Sequence, residues 1–275
     1  MQPERGNPSI TVDAPDVCAG FRSVGAVAGD VLMYHGSLSS MGTVVDGGNT
    51  VIEGARLAVG PTGTVAMPTL WYHSVDPPLD PSDWDIDHSE SYVGTLSETF
   101  RTHPESLRSD HFSHSVSAIG SRAPELVSDH GAGGLRHTPW GPRAFAGVSP
   151  WARLVEWNAL YCFIGVTFRV LTLKHYMEAI LLDEISQTIP PAKRDAAIGK
   201  LSAIGRRGIW PSFNSETLEE RLADMALVRY GEIGSATVRA IRARDLIDHG
   251  LPLLREAPDE WFDDAFLAWC REAVS

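Results

Sequence analysis

The chain has 275 residues, 43% hydrophobic and 21% charged, which suffices for a sizeable core and excludes wholesale disorder. Thirty-five acidic against 23 basic side chains leave a net charge of −12, which excludes a nucleic-acid binder built on a basic face and suits a cationic partner. Three scattered cysteines (Cys18, Cys162, Cys270), without CxxC or Cys/His spacing, point to neither a metal site nor a disulfide framework.

In chain order, residues 1–14 carry little apolar pattern and read as a loose arm, with no signal-peptide run after Met1. Residues 16–24 predict a short helix with Val17, Phe21 and Val24 on one face. Val31-Leu32-Met33-Tyr34-His35, flanked by Gly29-Asp30 and Gly36-Ser37, reads as a buried strand ending on His35. Residues 49–59 form a helix stopped by Gly60-Pro61-Thr62-Gly63, and residues 64–68 form a second strand. Strand, helix and strand in this succession predict an α/β fold: a largely parallel central sheet with helices on both faces.

Residues 75–88, rich in Pro, Asp and Ser, form a long loop, and so do the Gly- and Pro-rich residues 131–150. Short helices are expected over 96–100, 123–127 and 151–156, and a strand over 160–168. The helix over 174–185 is apolar nearly all round, so it is largely buried. Residues 187–209 look inserted, 232–254 hold strand and helix, and 259–274 form a last amphipathic helix. No composition break divides the chain, so residues 1–275 read as one domain with long loops over its site. The longest apolar run, 159–168, is far short of the ~20 residues of a membrane helix. A soluble, cytoplasmic monomer or homodimer is expected, with no membrane and no nucleic-acid partner.

There is no G-x-x-x-x-G-K-[ST] loop, no G-x-G-x-x-G after a strand, no G-x-S-x-G elbow and no H-E-x-x-H. Ten histidines remain. His35 closes a buried strand, and open α/β sheets bind ligands at the carboxyl ends of their strands. His175 opens a buried helix with Thr172 one turn before it, so a hydroxyl and an imidazole face one space. His114 sits in a polar run that leads into Val116 and Ile119.

Read together, the motifs resemble a known family. They are His35-Gly36-Ser37-Leu38-Ser39-Ser40-Met41-Gly42, then Val59-Gly60-Pro61-Thr62-Gly63-Thr64 through Met67-Pro68-Thr69, then Gly94-Thr95-Leu96-Ser97-Glu98-Thr99-Phe100-Arg101 with Pro104 and Arg108-Ser109. His114-Ser115-Val116, Pro139-Trp140-Gly141-Pro142, Ser149-Pro150 and Thr172-Leu173-Lys174-His175-Tyr176-Met177-Glu178 continue the series. The family is the aminoglycoside 3-N-acetyltransferases of the antibiotic-NAT fold, and the likeness runs in order from about Gly29 to Asp248.

The resemblance implies acetyl transfer from acetyl-CoA, as co-substrate and without a metal, to the 3-amino group of an aminoglycoside. It implies a catalytic set of His175, Thr172 and Glu98, with His35 near the acetyl group. It implies a cofactor-binding set of Ser37, Leu38, Ser39, Arg108, Ser113, His114, Ser115 and Val116. Glu178, Trp140, Asp76 and Asp183 are the expected acceptor contacts. The chemistry fits these residue types, because an ammonium cannot attack a thioester and an imidazole of ordinary pKa ~6.5 can take its proton near neutral pH. The chain departs from the family pattern at Trp140 and Lys174, where the acceptor is held. The alternatives are an N-acetyltransferase of the same fold acting on another amine, and a non-catalytic CoA- or antibiotic-binding protein.

Overall fold

The computed structural model describes residues 3–274. Its first half runs β1 (Thr11–Val12), α1 (Ala14–Ser23), β2 (Val31–Gly36), β3 (Thr43–Val44), α2 (Gly48–Val59), β4 (Thr64–Pro68), α3 (Thr95–Arg101), β5 (Leu107–Arg108), β6 (Val116–Gly120) and α4 (Ala123–Val127). The second runs α5 (Pro150–Glu156), β7 (Leu160–Ile164), α6 (Leu173–Thr188), α7 (Pro191–Ile198), α8 (Ser215–Asp224), β8 (Arg229–Ile233), β9 (Ala236–Arg242), α9 (Ala243–Glu256), α10 (Pro258–Trp261) and α11 (Asp264–Val274).

Seven strands form one sheet in the order β5-β6-β4-β2-β7-β9-β8. Strand β2 pairs in parallel with β4 and with β7, as the strand–helix–strand pattern predicts. The sheet is mixed, because β4–β6, β5–β6, β7–β9 and β8–β9 all pair antiparallel. Strands β5, β4, β2, β7 and β8 therefore point one way, and β6 and β9 the other. Strand β8 escapes a sequence reading because it is an edge, with Arg229, Tyr230 and Glu232 exposed rather than an apolar run.

Alternation along β2 and β7 divides the core between the two faces. Leu32, Tyr34, Cys162 and Ile164 pack with Val17 and Phe21 of α1 and Val51 and Ile52 of α2. Met33, Tyr161 and Phe163 pack on the opposite face with Trp151 of α5, Met177 of α6 and Leu246 of α9. Helix α1 starts on a capping box, in which Asp13 accepts from the Asp16 amide and Asp16 from the Asp13 amide.

Three expectations need correction. The described part of the amino-terminal arm is tied down rather than loose: Glu4 pairs with Arg239 at 3.0 Å and accepts from the Thr237 amide, while β1 pairs with β3. The strand expected over 160–168 stops at Ile164, because Gly165 takes φ +63° and a Cβ there would lie 1.9 Å from Ser40 Oγ. Residues 187–209 are packed into the fold, with Leu201 fully buried and the Trp269 indole donating to the Ala197 carbonyl at 3.0 Å. Among the described residues no helix is long and apolar enough to cross a membrane.

Candidate active site

The parallel strands β2, β4 and β7 end at one edge of the sheet, where an open α/β sheet presents its crevice. A cleft of about 890 Å³ lies there. Its walls come from the turn after β2 (Ser37, Leu38, Ser39), from Pro68 at the end of β4 and Leu70 beyond it, and from residues 92–97. Residues 166–175, ahead of and into α6, complete it. Among the described residues lining it there is no carboxylate, and its cations are Arg169 and Lys174.

His175 lies in the first turn of α6, and Glu178 lies one turn further on the same side. The His175 Nδ1 meets Glu178 Oε2 at 2.7 Å. Glu178 is fully buried, and the Trp210 indole also donates to its Oε2 at 2.7 Å. The Trp140 ring leans on the His175 ring at 4.1 Å, with His114 at 5.8 Å and Phe145 at 6.2 Å. The imidazole is therefore walled by aromatics, and with Nδ1 held by the carboxylate its Nε2 is the nitrogen left to accept a proton.

Also in the cleft wall, the β2–β7 register sets His35 opposite Phe163. The His35 ring stacks on Phe163 with centroids 5.4 Å apart, and its Nε2 meets the Tyr161 hydroxyl at 2.8 Å. Although part of the ring faces the cleft, surrounding protein pushes its pKa down to about 3. Thr172 precedes α6 without capping it, so its hydroxyl is not taken by the helix and interacts with Tyr161. Burial raises the Tyr161 phenol, which stays protonated and can donate.

Several residues singled out in the sequence lie elsewhere. Glu98 does not orient His175: Arg101 grips both of its oxygens at 2.6 and 2.8 Å, and the Ser91 amide donates at 2.8 Å. Those contacts, the Arg101 hydrogen bond foremost, lower its pKa despite the opposing effect of burial. The carboxylate at the histidine is instead Glu178, which is buried and so placed to hold His175 rather than an acceptor. Arg108 is fully engaged, donating to the carbonyls of Ser89, Thr69 and Ile86 and to Ser115 Oγ. Burial, with Arg101 nearby, lowers its pKa to about 9.

Ser113, His114, Ser115 and Val116 are buried and lie behind the cleft rather than lining it. Ser113 Oγ meets His114 Nδ1 at 2.9 Å, and burial first, then His175, hold the His114 pKa well below its ordinary value. Asp76 sits exposed in the loop after β4, and Asp183 lies two turns beyond His175 on α6, bonded by Gln187; neither lines the cleft. Tyr161 and Trp210 were not anticipated. Finding Tyr161 needs the register of β2 on β7, and Trp210 approaches from the segment just past residues 187–209. Glu178 was readable from its spacing to His175, the same one-turn logic that brought out Thr172.

A model of the aminoglycoside 3-N-acetyltransferase family matches residues 33–255. The chain is 28% identical to aminoglycoside N(3)-acetyltransferase VII of Streptomyces paromomycinus, over 85% of this chain and 88% of that one. It is 30% identical to aminoglycoside N(3)-acetyltransferase IV of a Salmonella species, over 86% of this chain and 85% of that one. The fold is also that of AAC-IIIb, solved as a binary complex with CoASH, with TM-score 0.70, 22% identity and coverage of 90% of this chain and 97% of that one.

Proposed function

The chain belongs to the aminoglycoside 3-N-acetyltransferase family, and from that membership we propose that it transfers an acetyl group from acetyl-CoA to the 3-amino group of an aminoglycoside. The observation that carries this reading is the His175–Glu178 pair at the edge of the cleft. Glu178 holds Nδ1, so Nε2 takes a proton from the incoming amine. The amine nitrogen bonds to the thioester carbonyl carbon, giving a tetrahedral oxyanion. When that collapses, the C–S bond breaks, CoA leaves as thiolate and the proton on His175 goes to the sulfur. Each hydrogen bond to the oxyanion is worth ~3 kcal/mol, and the Thr172 hydroxyl at the cleft wall is the donor assigned to it. Tyr161 and His35 stand behind Thr172 as a neutral hydrogen-bonded pair. Ser37, Leu38 and Ser39 lie along the wall that takes the pantetheine arm. CoASH in AAC-IIIb supports the co-substrate.

A second reading has the same chemistry with a different amine. It is favoured by the lining of the cleft, which carries Arg169 and Lys174 and, among the described residues, no carboxylate. A polycation is repelled by such a lining, a singly charged amine less so and a neutral amine not at all. Thiol release from acetyl-CoA with a panel of aminoglycosides and of simple amines tests both. Turnover with aminoglycosides is the expected result. Turnover with simple amines alone selects the second reading, and no release with any amine overturns acyl transfer.

A further inference from the structure

The Glu178 carboxylate sits between competing partners. One oxygen, Oε2, accepts from both His175 and Trp210 at 2.7 Å. The other, Oε1, is buried without a hydrogen bond, and Lys174 Nζ is 3.6 Å from it. The Lys174 ammonium is anchored in turn by the Phe213 carbonyl and, at 3.4 Å, by Ser212 Oγ. Segment 210–213 therefore grips α6 at Lys174 and Glu178, positions one turn apart. A buried carboxylate with one unpaired oxygen and a cation nearby is drawn to rotate toward that cation. The Trp210 N–H opposes this by fixing Oε2 on the His175 side. The Trp210 ring also meets Trp140 edge-on at 5.7 Å, and Trp140 is the ring that covers His175.

We propose that Trp210 is a positioning residue for acyl transfer: against the pull of Lys174 it holds Glu178 in the orientation that keeps His175 ready as the base. This rests on the acyl-transfer reading with His175 as base. The titratable and charged groups facing the pair are Lys174 on α6 and His114 from the segment before β6. Trp140 and Phe145 from the long loop and Trp210 are uncharged. The residues that grip α6 lie just past the stretch 187–209 that looks inserted in the sequence.

The test is the rate–pH profile of Trp210→Phe, which keeps a ring and removes the donor. Glu178 should then turn toward Lys174, leave the imidazolium without its counter-ion and move the acidic limb down by about half a pH unit or more, with KM for acetyl-CoA unchanged. Lys174→Met removes the competing pull and should move it in the opposite direction. The ring resonance of His175, assigned by its disappearance in His175→Ala, should follow the limb, and this NMR titration needs no turnover. A limb and a resonance that stay in place in a folded Trp210→Phe overturn the proposal. If that variant fails to fold, an unmoved Lys174→Met does so. Loss of the acyl-transfer reading shows separately, as absence of thiol release in the parent chain.

Discussion

The cleft presents two histidines, and they differ in what holds them. His175 leans on a carboxylate, so its protonated form has a counter-ion and the ring can accept and return a proton. His35 leans on a phenol and stacks on Phe163, so nothing nearby stabilises a positive charge. Its pKa falls to about 3, and the ring stays neutral over any working pH. Two identical side chains in one cleft are thus suited to opposite tasks, proton transfer at His175 and a fixed neutral hydrogen bond at His35.

The sharpest way to break this contrast is His175→Ala, which should lower kcat by ~10²–10⁴ while acetyl-CoA still binds. Turnover near that of the parent would remove His175 from the role of base. Next comes the carboxylate. Glu178→Gln keeps the shape and removes the charge, and should cost about 10- to 100-fold in kcat. Glu98→Gln, whose carboxylate serves Arg101 and the Ser91 amide, should stay within about threefold of the parent in kcat. The reverse ranking would restore Glu98 as the histidine's partner.

Acid stability extends the comparison to the whole set of buried histidines. Burial lowers His35 to about 3, His111 to about 2 and His130 to about 4, and His114 falls well below the ordinary 6.5. The folded chain keeps them neutral, while the unfolded chain protonates them below about 6.5. Stability is therefore complete above that pH. It falls as pH drops from about 6.5 toward the depressed values, by about 1.4 kcal/mol per pH unit for each histidine. Thermal melts across this range should show the decline, and a flat profile would mean that the native chain accommodates the charges. A smaller effect than at His175 is expected from His35→Gln, which keeps a donor and an acceptor and should retain activity within about tenfold, with the acidic limb in place. His35→Ala should lose clearly more. A limb that vanishes with His35 and persists in residual His175→Gln activity would exchange the two roles.

Elements with a strong local pattern, and the residues attached to them, are legible along the chain. The apolar run 31–35 with its glycine borders, the helix that Gly60 ends and the strand at 64–68 can be read from hydrophobic spacing. That spacing already puts His35 and the Ser37-Leu38 turn at a strand's carboxyl end. His175 and Thr172 are likewise one turn apart on any helix. Only the tertiary structure decided which carboxylate meets His175. Glu98 and Glu178 each sit in an appropriate motif, and the choice depends on Arg101 lying three residues from Glu98 and holding it beside Ser91. Only the β2–β7 register brings Tyr161 to His35, since a shift of one residue would turn it to the other face. Trp210 reaches Glu178 across 32 residues of sequence through a packed excursion, and no local periodicity encodes a contact of that length. Side-chain spacing is a property of one element, whereas a hydrogen bond between elements exists only once the packing has set their distance.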